Sequence, residues 1–312
     1  MPRSKSQAPE STADVQQIQS CLQELKLRKI SEQLDDELDR LAKGSSHSAT
    51  ELMLRLLDAQ VQWQRERRVE RRIRESKLPE RKTLIGFDFD FQPTLDRELV
   101  LELMTMSFVP RRQGVILAGD SGTGKSHIAK ALALAGCKEG YRVRYTTAAD
   151  MLKELFASLA DDSLEQKLKR YVYPQLLVVD ELGFDRLERD DARNATLFFK
   201  VIDGRYTKRS TVLTSNIKFK ELGHYLGDPV VTTAIVDRMV HHSTVINIEG
   251  PSWRLKESQQ LNERGDADGA GTEDGAEACT EDGAGKRPSA KKKPARKKPA
   301  RKKPAKKRPR RR

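Results

Sequence analysis

Eight consecutive residues, Gly119-Asp120-Ser121-Gly122-Thr123-Gly124-Lys125-Ser126, fit the pattern G-x-x-x-x-G-K-[ST]. Glycines at these spacings let successive backbone N–H groups turn inward on a polyphosphate, while the lysine reaches the β- and γ-phosphates and the final hydroxyl can ligate Mg²⁺. The surroundings suit that chemistry. The apolar run GVILAG from Gly114 reads as a strand leading in, and GKSHIAKALALAG reads as a helix leading out, whose N-terminus adds the positive end of its dipole. The expected ligands are therefore ATP and Mg²⁺, with all of Gly119 to Ser126 in contact.

A second acidic element follows. Leu176-Leu177-Val178-Val179 is an apolar strand that ends in Asp180-Glu181. Asp180 is placed to hold Mg²⁺, mostly through water, and Glu181 to polarise an attacking water as general base. By itself an Asp-Glu pair after a strand also fits a loop start or a helix cap. Asn216, closing the run STVLTSN, is positioned to orient the water or the γ-phosphate, or else is an ordinary strand-end turn residue. Arg238, on the helical stretch AIVDRMVHH, is a candidate arginine finger; the alternative is a surface arginine paired with Asp237 or a neighbour. Arg254 in GPSWRLK is a weaker candidate for a second phosphate-sensing cation.

Around these positions strands alternate with helices: a strand near Tyr141 to Thr146, a helix from Ala148 to Leu159, strands at Gln175 to Val179, Ser210 to Ser215 and Thr244 to Ile248, and helices at Asp191 to Tyr206 and Thr232 to His242. That alternation predicts an α/β domain, a parallel sheet covered by helices on both faces, over residues 111–262. Ahead of it, Val15 to Ala42 and Ala49 to Lys77 carry helical apolar spacing and predict a small helical N-terminal domain over residues 13–80, for DNA or partner binding. Residues 81–110 read as an extended-looking linker, TLIGFDFDF, followed by a helix from Leu95 to Val109.

From Gly265 onward hydrophobic residues nearly vanish, TEDGA occurs at 272–276 and again at 280–284, and KKPAR-type repeats follow. Residues 263–312 are expected to be a disordered acidic and then Lys/Arg/Pro-rich tail. The net charge of +13 is concentrated there: residues 263–312 hold 18 Lys or Arg against 8 Asp or Glu, a net of +10, which leaves +3 for the rest. Three cysteines, far apart and in no C-x-x-C pair, suggest neither a disulfide framework nor a zinc site. With no long apolar span and no signal-peptide core at MPRSKSQAPE, the expectation is a soluble, cytoplasmic, nucleoid-associated protein.

Taken in order, RRVERRIRESKLPE, FDFDFQPTLDRELV, GDSGTGKSH, GYRVRYTTAADML, LLVVDELG, GRYTKRSTVLTSN, GDPVVTTAIVDRMVHHSTVINIEG and PSWRLK resemble an AAA+ ATPase of the IstB-like transposition-helper family, whose relatives include DnaC-like helicase loaders. The resemblance spans roughly residues 20–258. It implies the AAA+ sheet order, Asn216 as a sensor, Arg238 as a finger acting on a neighbouring subunit's nucleotide in a homo-oligomer, and Arg254 as a second sensor. It also implies ATP-dependent assembly on duplex DNA, regulation of a transposase, and hydrolysis as the switch; the alternative is a loader of a replicative helicase. The short stretch after Gly250 leaves no room for a full helical lid, and the acidic and basic tail lies outside the family pattern. A small-molecule kinase is disfavoured by the glutamate beside Asp180 and by the lack of an acceptor lid.

Two basic patches are candidates for DNA. Arg67, Arg68, Arg71, Arg72 and Arg74 fall within a dense run from Arg65 to Lys82, with Arg67, Arg71 and Arg74 on one helical face suited to phosphate contacts without base readout. Glu66, Glu70 and Glu75 offer the alternative of a solvated, ion-paired helix. Lys167, Lys169 and Arg170 form the second patch, facing an oligomer's interior. The proline-punctuated basic tail would add duplex affinity by counterion release, or serve only to solubilise.

Overall fold

A computed structural model describes residues 12–43, 48–183, 192–217, 226 and 228–259. The tail expected over residues 263–312 lies outside them. Among the described residues no helix is long and apolar enough to cross a membrane.

Five strands form one parallel sheet in the order β2-β3-β4-β1-β5: β1 (Gly114–Gly119), β2 (Val143–Thr147), β3 (Leu176–Leu182), β4 (Ser210–Ser215) and β5 (Ser243–Ile248). In this order β4 lies between the strand that leads into the glycine-rich loop and the strand that ends in Asp180. The central strands are near-continuous apolar runs because both faces are covered. Val115, Leu117, Leu176, Val178 and Val212 pack into one cluster with the helices α4 (Arg97–Met104) and α5 (Lys125–Lys138). Ile116, Leu177, Val179 and Leu213 pack into another with α6 (Ala148–Ala157), α7 (Leu164–Val172), α8 (Ala192–Arg205) and α9 (Pro229–His241). Side chains at alternate positions of each strand thus serve opposite layers.

Local signals set the helix starts. Asp96 caps α4 through the Leu99 N–H at 3.1 Å, Thr147 caps α6 through the Asp150 N–H at 3.1 Å, and Asp228 accepts from the N–H groups of Val230 and Val231, with Pro229 in the first turn of α9.

The N-terminal stretch contains α1 (Thr12–Glu24), α2 (Arg28–Ala42) and α3 (Ala49–Ser76). The single helical run expected from Val15 to Ala42 is broken at Lys26, whose φ of 58° is left-handed. The N-terminus of α2, which lacks a side-chain cap of its own, is satisfied from α3: Gln60 Oε1 accepts from the N–H groups of Lys29 and Ile30 at 2.9 and 3.3 Å. Helix α3 has 28 residues, about 42 Å at 1.5 Å per residue. Its first half carries Leu56 into a small cluster with Ile30 and Leu34, and its last turns bury Ile73 against the sheet domain. One rod thereby joins the two regions.

The segment expected to be extended from Thr83 to Phe91 is instead a chain of turns, closed by Phe87 N–H to Leu84 O at 3.1 Å and Gln92 N–H to Phe89 O at 3.0 Å. The alternation FDFDF imitates a strand, but its rings turn inward: Phe87 and Phe89 meet edge to face at 4.9 Å and join the core beside α5. After β5, where the sequence leaves no room for a full helical lid, residues 253–259 form one short helix.

Candidate functional site

The glycine-rich loop turns between β1 and α5. Gly119 has a φ of 141°, and a Cβ there would lie 2.1 Å from the Ile248 carbonyl oxygen; Gly122 has a φ of 84°, and a Cβ would meet Ser252 Oγ at 2.0 Å. Both positions are closed to any side chain, so the loop's course depends on glycine. Gly124 caps α5 without a side chain, leaving that helix's first N–H groups free to face a ligand. Thr123 Oγ1 donates to Asp120 O at 2.8 Å.

Lys125 is buried at 8 % exposure, and its ammonium donates to the Asp120 carbonyl at 2.5 Å and reaches Thr123 Oγ1 at 3.4 Å. Burial pulls its pKa below the ordinary lysine value; Asp120 and Asp180 oppose that shift and Arg254 adds to it.

At the end of β3 the sheet register slips between Val179 and Leu182, which turns Glu181 out of the strand with a left-handed φ of 62°. Asp180 stays inside at 2 % exposure while Glu181 is exposed. Around Asp180 the donors converge: Ser126 Oγ at 2.9 Å, the Thr214 hydroxyl and the Glu181 N–H at 3.1 Å on Oδ1, and the Tyr145 phenol on Oδ2. The Glu181 N–H also reaches Thr214 Oγ1 at 2.9 Å. Burial, followed by the Asp180 charge, pushes the Tyr145 phenol far above its usual pKa, so that it stays a donor.

These residues border a cleft of about 430 Å³ lined by Ser121 to Ser126, Glu181, Thr214, Asn216 and Arg254. The cleft therefore brings together Lys125, Ser126, Glu181 and Asn216, with Asp180 bonded to Ser126 just beneath. Arg254 is exposed on the short helix at its rim.

Sequence reasoning missed the side walls. Phe87, Phe91 and Gln92 from the segment before β1, and Trp253 from the segment after β5, line the same cleft. The two segments are tied to each other and to the loop: Trp253 N–H donates to Gly122 O at 3.0 Å, Gln92 Nε2 to Pro251 O at 2.9 Å, and Thr94 Oγ1 to Glu249 O at 2.6 Å. Phe91 meets Trp253 edge to face at 5.1 Å, with Lys256 Nζ over both rings at 4.4 and 4.7 Å. Phe87 packs edge to face on His127 at 5.3 Å, and His127 Nε2 donates to Thr83 O at 2.7 Å. The one available signal was the density of aromatic residues in FDFDF and PSW.

Arg238 stands apart from this cleft. Its Nε donates to Asp203 Oδ1 at 2.9 Å and its Nη1 to Ala234 O at 3.2 Å, so its own-chain partner is Asp203 rather than Asp237.

The arginines of α3 also stand apart. Arg67, Arg68, Arg71 and Arg74 are exposed; Arg67 lies over the Trp63 ring at 5.1 Å, Arg71 approaches Glu75 at 3.8 Å, and Arg72 turns toward Gly140. Of the second patch, Lys169 is exposed, whereas Lys167 and Arg170 pair with Glu154 at 3.1 and 2.7 Å. Burial works against the Glu154 charge, but hydrogen bonds from Tyr171 and Lys167 outweigh it and hold the carboxyl below its usual pKa. Glu154 therefore offsets one of that patch's three charges and ties down two of its side chains.

A profile of the family described as "IstB-like ATP binding protein" matches residues 20–261. The chain is 37 % identical over 223 residues to a Geobacillus stearothermophilus protein described as an ATP-binding protein of insertion sequence IS5376, covering 71 % of this chain and 88 % of that one. It is also 37 % identical over 246 residues to the corresponding protein of insertion sequence IS21 from Pseudomonas aeruginosa, covering 78 % and 91 %. Among solved structures it is similar to the crystal structure of DnaI, at 23 % identity and a TM-score of 0.46, over 54 % of this chain and 91 % of that one.

Proposed function

The chain belongs to the IstB-like ATP-binding protein family, and from that premise we propose that it is the ATP-hydrolysing helper of an insertion sequence, assembling on duplex DNA and regulating the partner transposase. The observation that carries the hydrolytic reading is the meeting of Ser126 and Asp180 at 2.9 Å beside Glu181, with Ser126 and Glu181 lining a cleft that also holds Lys125.

In this reading the glycine-rich loop and the α5 N-terminus bind the phosphates through backbone N–H groups, and Lys125 neutralises the β- and γ-phosphates. The Glu181 carboxylate takes the proton of the attacking water, and the Asn216 amide orients that water or the γ-phosphate. The Ser126 hydroxyl and Asp180 carboxylate are hard oxygen donors that fit Mg²⁺ and would hold it, Asp180 mostly through water. Bound there, the ion supplies neutralising charge to the phosphate oxygens. Arg238 acts on the nucleotide of a neighbouring copy, and Arg254 contacts the phosphates from the rim. DNA is held by phosphate contacts from Arg67, Arg68, Arg71, Arg72 and Arg74 of α3, with a lesser part for Lys169 and its neighbours. Relatives that are ATP-binding proteins of insertion sequences favour the transposase over a replicative helicase as partner.

Retention on a duplex DNA probe with ATP, with ADP and without nucleotide tests the proposal, followed by capture of either the transposase of the same element or the replicative helicase. ATP-dependent retention and transposase capture are expected. Equal retention in all three states, or capture of the helicase alone, would overturn it.

A further inference from the structure

Asp180 is a buried carboxylate, and among the described residues no Lys, Arg or His pairs with it. Its charge is met by three hydroxyls and one backbone N–H, and these are divided unevenly. Ser126, Thr214 and the Glu181 N–H crowd Oδ1, whereas Oδ2 takes the Tyr145 phenol. A buried acceptor that carries charge and loses its donor is expensive, so this phenol matters more to the carboxylate than any one of the three donors opposite.

The strand register explains why a tyrosine reaches there. Tyr145 pairs with Val178 across the parallel β2–β3 ladder. Asp180 is two residues beyond Val178 and so shares its sheet face. A tyrosine is long enough to cross that diagonal: its ring packs in the cluster that contains Val178 and Val143, and its oxygen emerges at Asp180. Phenylalanine would fill the same space without the hydrogen bond.

The chain of donors has a direction. Tyr145 fixes Oδ2, which sets the carboxylate plane and holds Oδ1 toward Ser126; because Ser126 gives its proton to Oδ1, both lone pairs of its oxygen are left for a cation in the cleft. Without the phenol, Asp180 is free to rotate, and that rotation spoils the Ser126 orientation.

We infer that Tyr145, on the edge strand β2, is a positioning residue for the divalent-cation site, acting through Asp180 to hold Ser126 with its lone pairs toward the cleft. The inference rests on the nucleotide-site reading above.

The test is Mg²⁺ titration of the affinity for a fluorescent ATP analogue, in wild type and Tyr145→Phe, with EDTA as the metal-free reference and thermal melting as the check on folding. Tyr145→Phe is expected to raise the half-saturating Mg²⁺ about tenfold while leaving affinity in EDTA within about twofold. Thr214→Val and Thr214→Ser serve as a second pair: the valine variant should weaken Mg²⁺ dependence and the serine variant, which keeps the hydroxyl, should restore it. An unchanged half-saturation in Tyr145→Phe overturns the role assigned to the phenol, as does a loss of affinity equal in EDTA and in Mg²⁺. Failure of the wild type to bind the analogue, or to respond to Mg²⁺, would instead sink the nucleotide-site reading itself.

Discussion

Arg238 and Asp203 form an ion pair between α9 and α8, Nε to Oδ1 at 2.9 Å, with the guanidinium 4.8 Å from the Phe199 ring centre. The arginine is thus held between α8 and α9, partly exposed and outside the lining of its own cleft. Arg238→Ala should bind ATP nearly normally and lose about 10³ in turnover, the usual cost of removing such a finger. Mixing it with Glu181→Gln should return part of the activity, because a mixed interface can join an intact Arg238 to an intact Glu181. Turnover measured against mixing ratio checks this; undiminished turnover in Arg238→Ala would leave the residue as an ion-paired surface arginine.

Glu181 combines two demands in one position. Glu181→Gln should keep nucleotide binding, abolish turnover and accumulate the DNA-bound assembly, since the amide cannot accept the water's proton. The left-handed backbone at φ 62° adds a second expectation. Glu181→Gly should be more stable than Glu181→Ala by about 1 kcal/mol, because glycine has no Cβ to strain there. Chemical denaturation of the two variants decides it, and equal stability would show that the turn is unstrained.

Lys125→Ala should lose most ATP affinity, and the lowered pKa of Lys125 carries a sign that calorimetry can read. Phosphate oxygens raise the pKa of a neighbouring ammonium, so binding draws a proton onto any lysine that the free protein has left partly neutral. ATP binding in alkaline solution should therefore take up protons, and the uptake should shrink as the pH falls and Lys125 of the free protein becomes fully charged. Heats measured in two buffers of different ionisation enthalpy give the number taken up; release instead of uptake would contradict the assignment.

Arg205 is 1 % exposed at the end of α8 and donates to the carbonyls of Tyr171, Val172, Pro174 and Ser210 and to Thr211 Oγ1. Burial, with Arg209 nearby, pulls its pKa down to about 9, yet the five acceptors satisfy its planar fork. Arg205→Met should cost about 3 kcal/mol or more by orphaning buried carbonyls, and Arg205→Lys should recover only part of that. Urea denaturation midpoints test both variants, and a loss under about 1 kcal/mol for the methionine would show that the carbonyls find other donors.

For DNA, truncation after Gly285 removes 17 Lys and Arg residues. Each phosphate contact adds about 0.9 to the slope of log K against log salt, so the truncated chain should show a flatter slope with its ATP dependence intact. The acidic TEDGA repeats would mask part of this at low salt. An unchanged slope would assign the contacts to α3 instead, where charge reversal at Arg67, Arg68, Arg71 and Arg74 should then lower it.

The parts of the fold and site legible in the sequence are those whose physics is local. The glycine-rich loop lies in one run of residues, and the apolar strand before Asp180 announces itself by composition. What escaped depends on contacts between distant segments. In the sequence α7 presents as a basic patch because Lys167, Lys169 and Arg170 stand out, although Leu164, Leu168 and Tyr171 pack inward at helical spacing. The break at Lys26 carries no glycine or proline to mark it. Tyr145 lies in an expected strand, but its hydrogen bond to Asp180 follows from a pairing register that no single segment contains.

The cleft's side walls come from opposite sides of the sheet domain in chain order: Phe87 and Phe91 precede β1, and Trp253 follows β5. A chain synthesised from its N-terminus exposes the complete glycine-rich loop long before Trp253 exists to clasp it. The nascent sheet can thus be nearly whole on the ribosome while still lacking one wall of the nucleotide cleft. The wall that Trp253 supplies is the last part of the cleft to be made, and a fragment from Gly114 to Ile248 would keep each residue of the loop while lacking Phe87, Phe91 and Trp253.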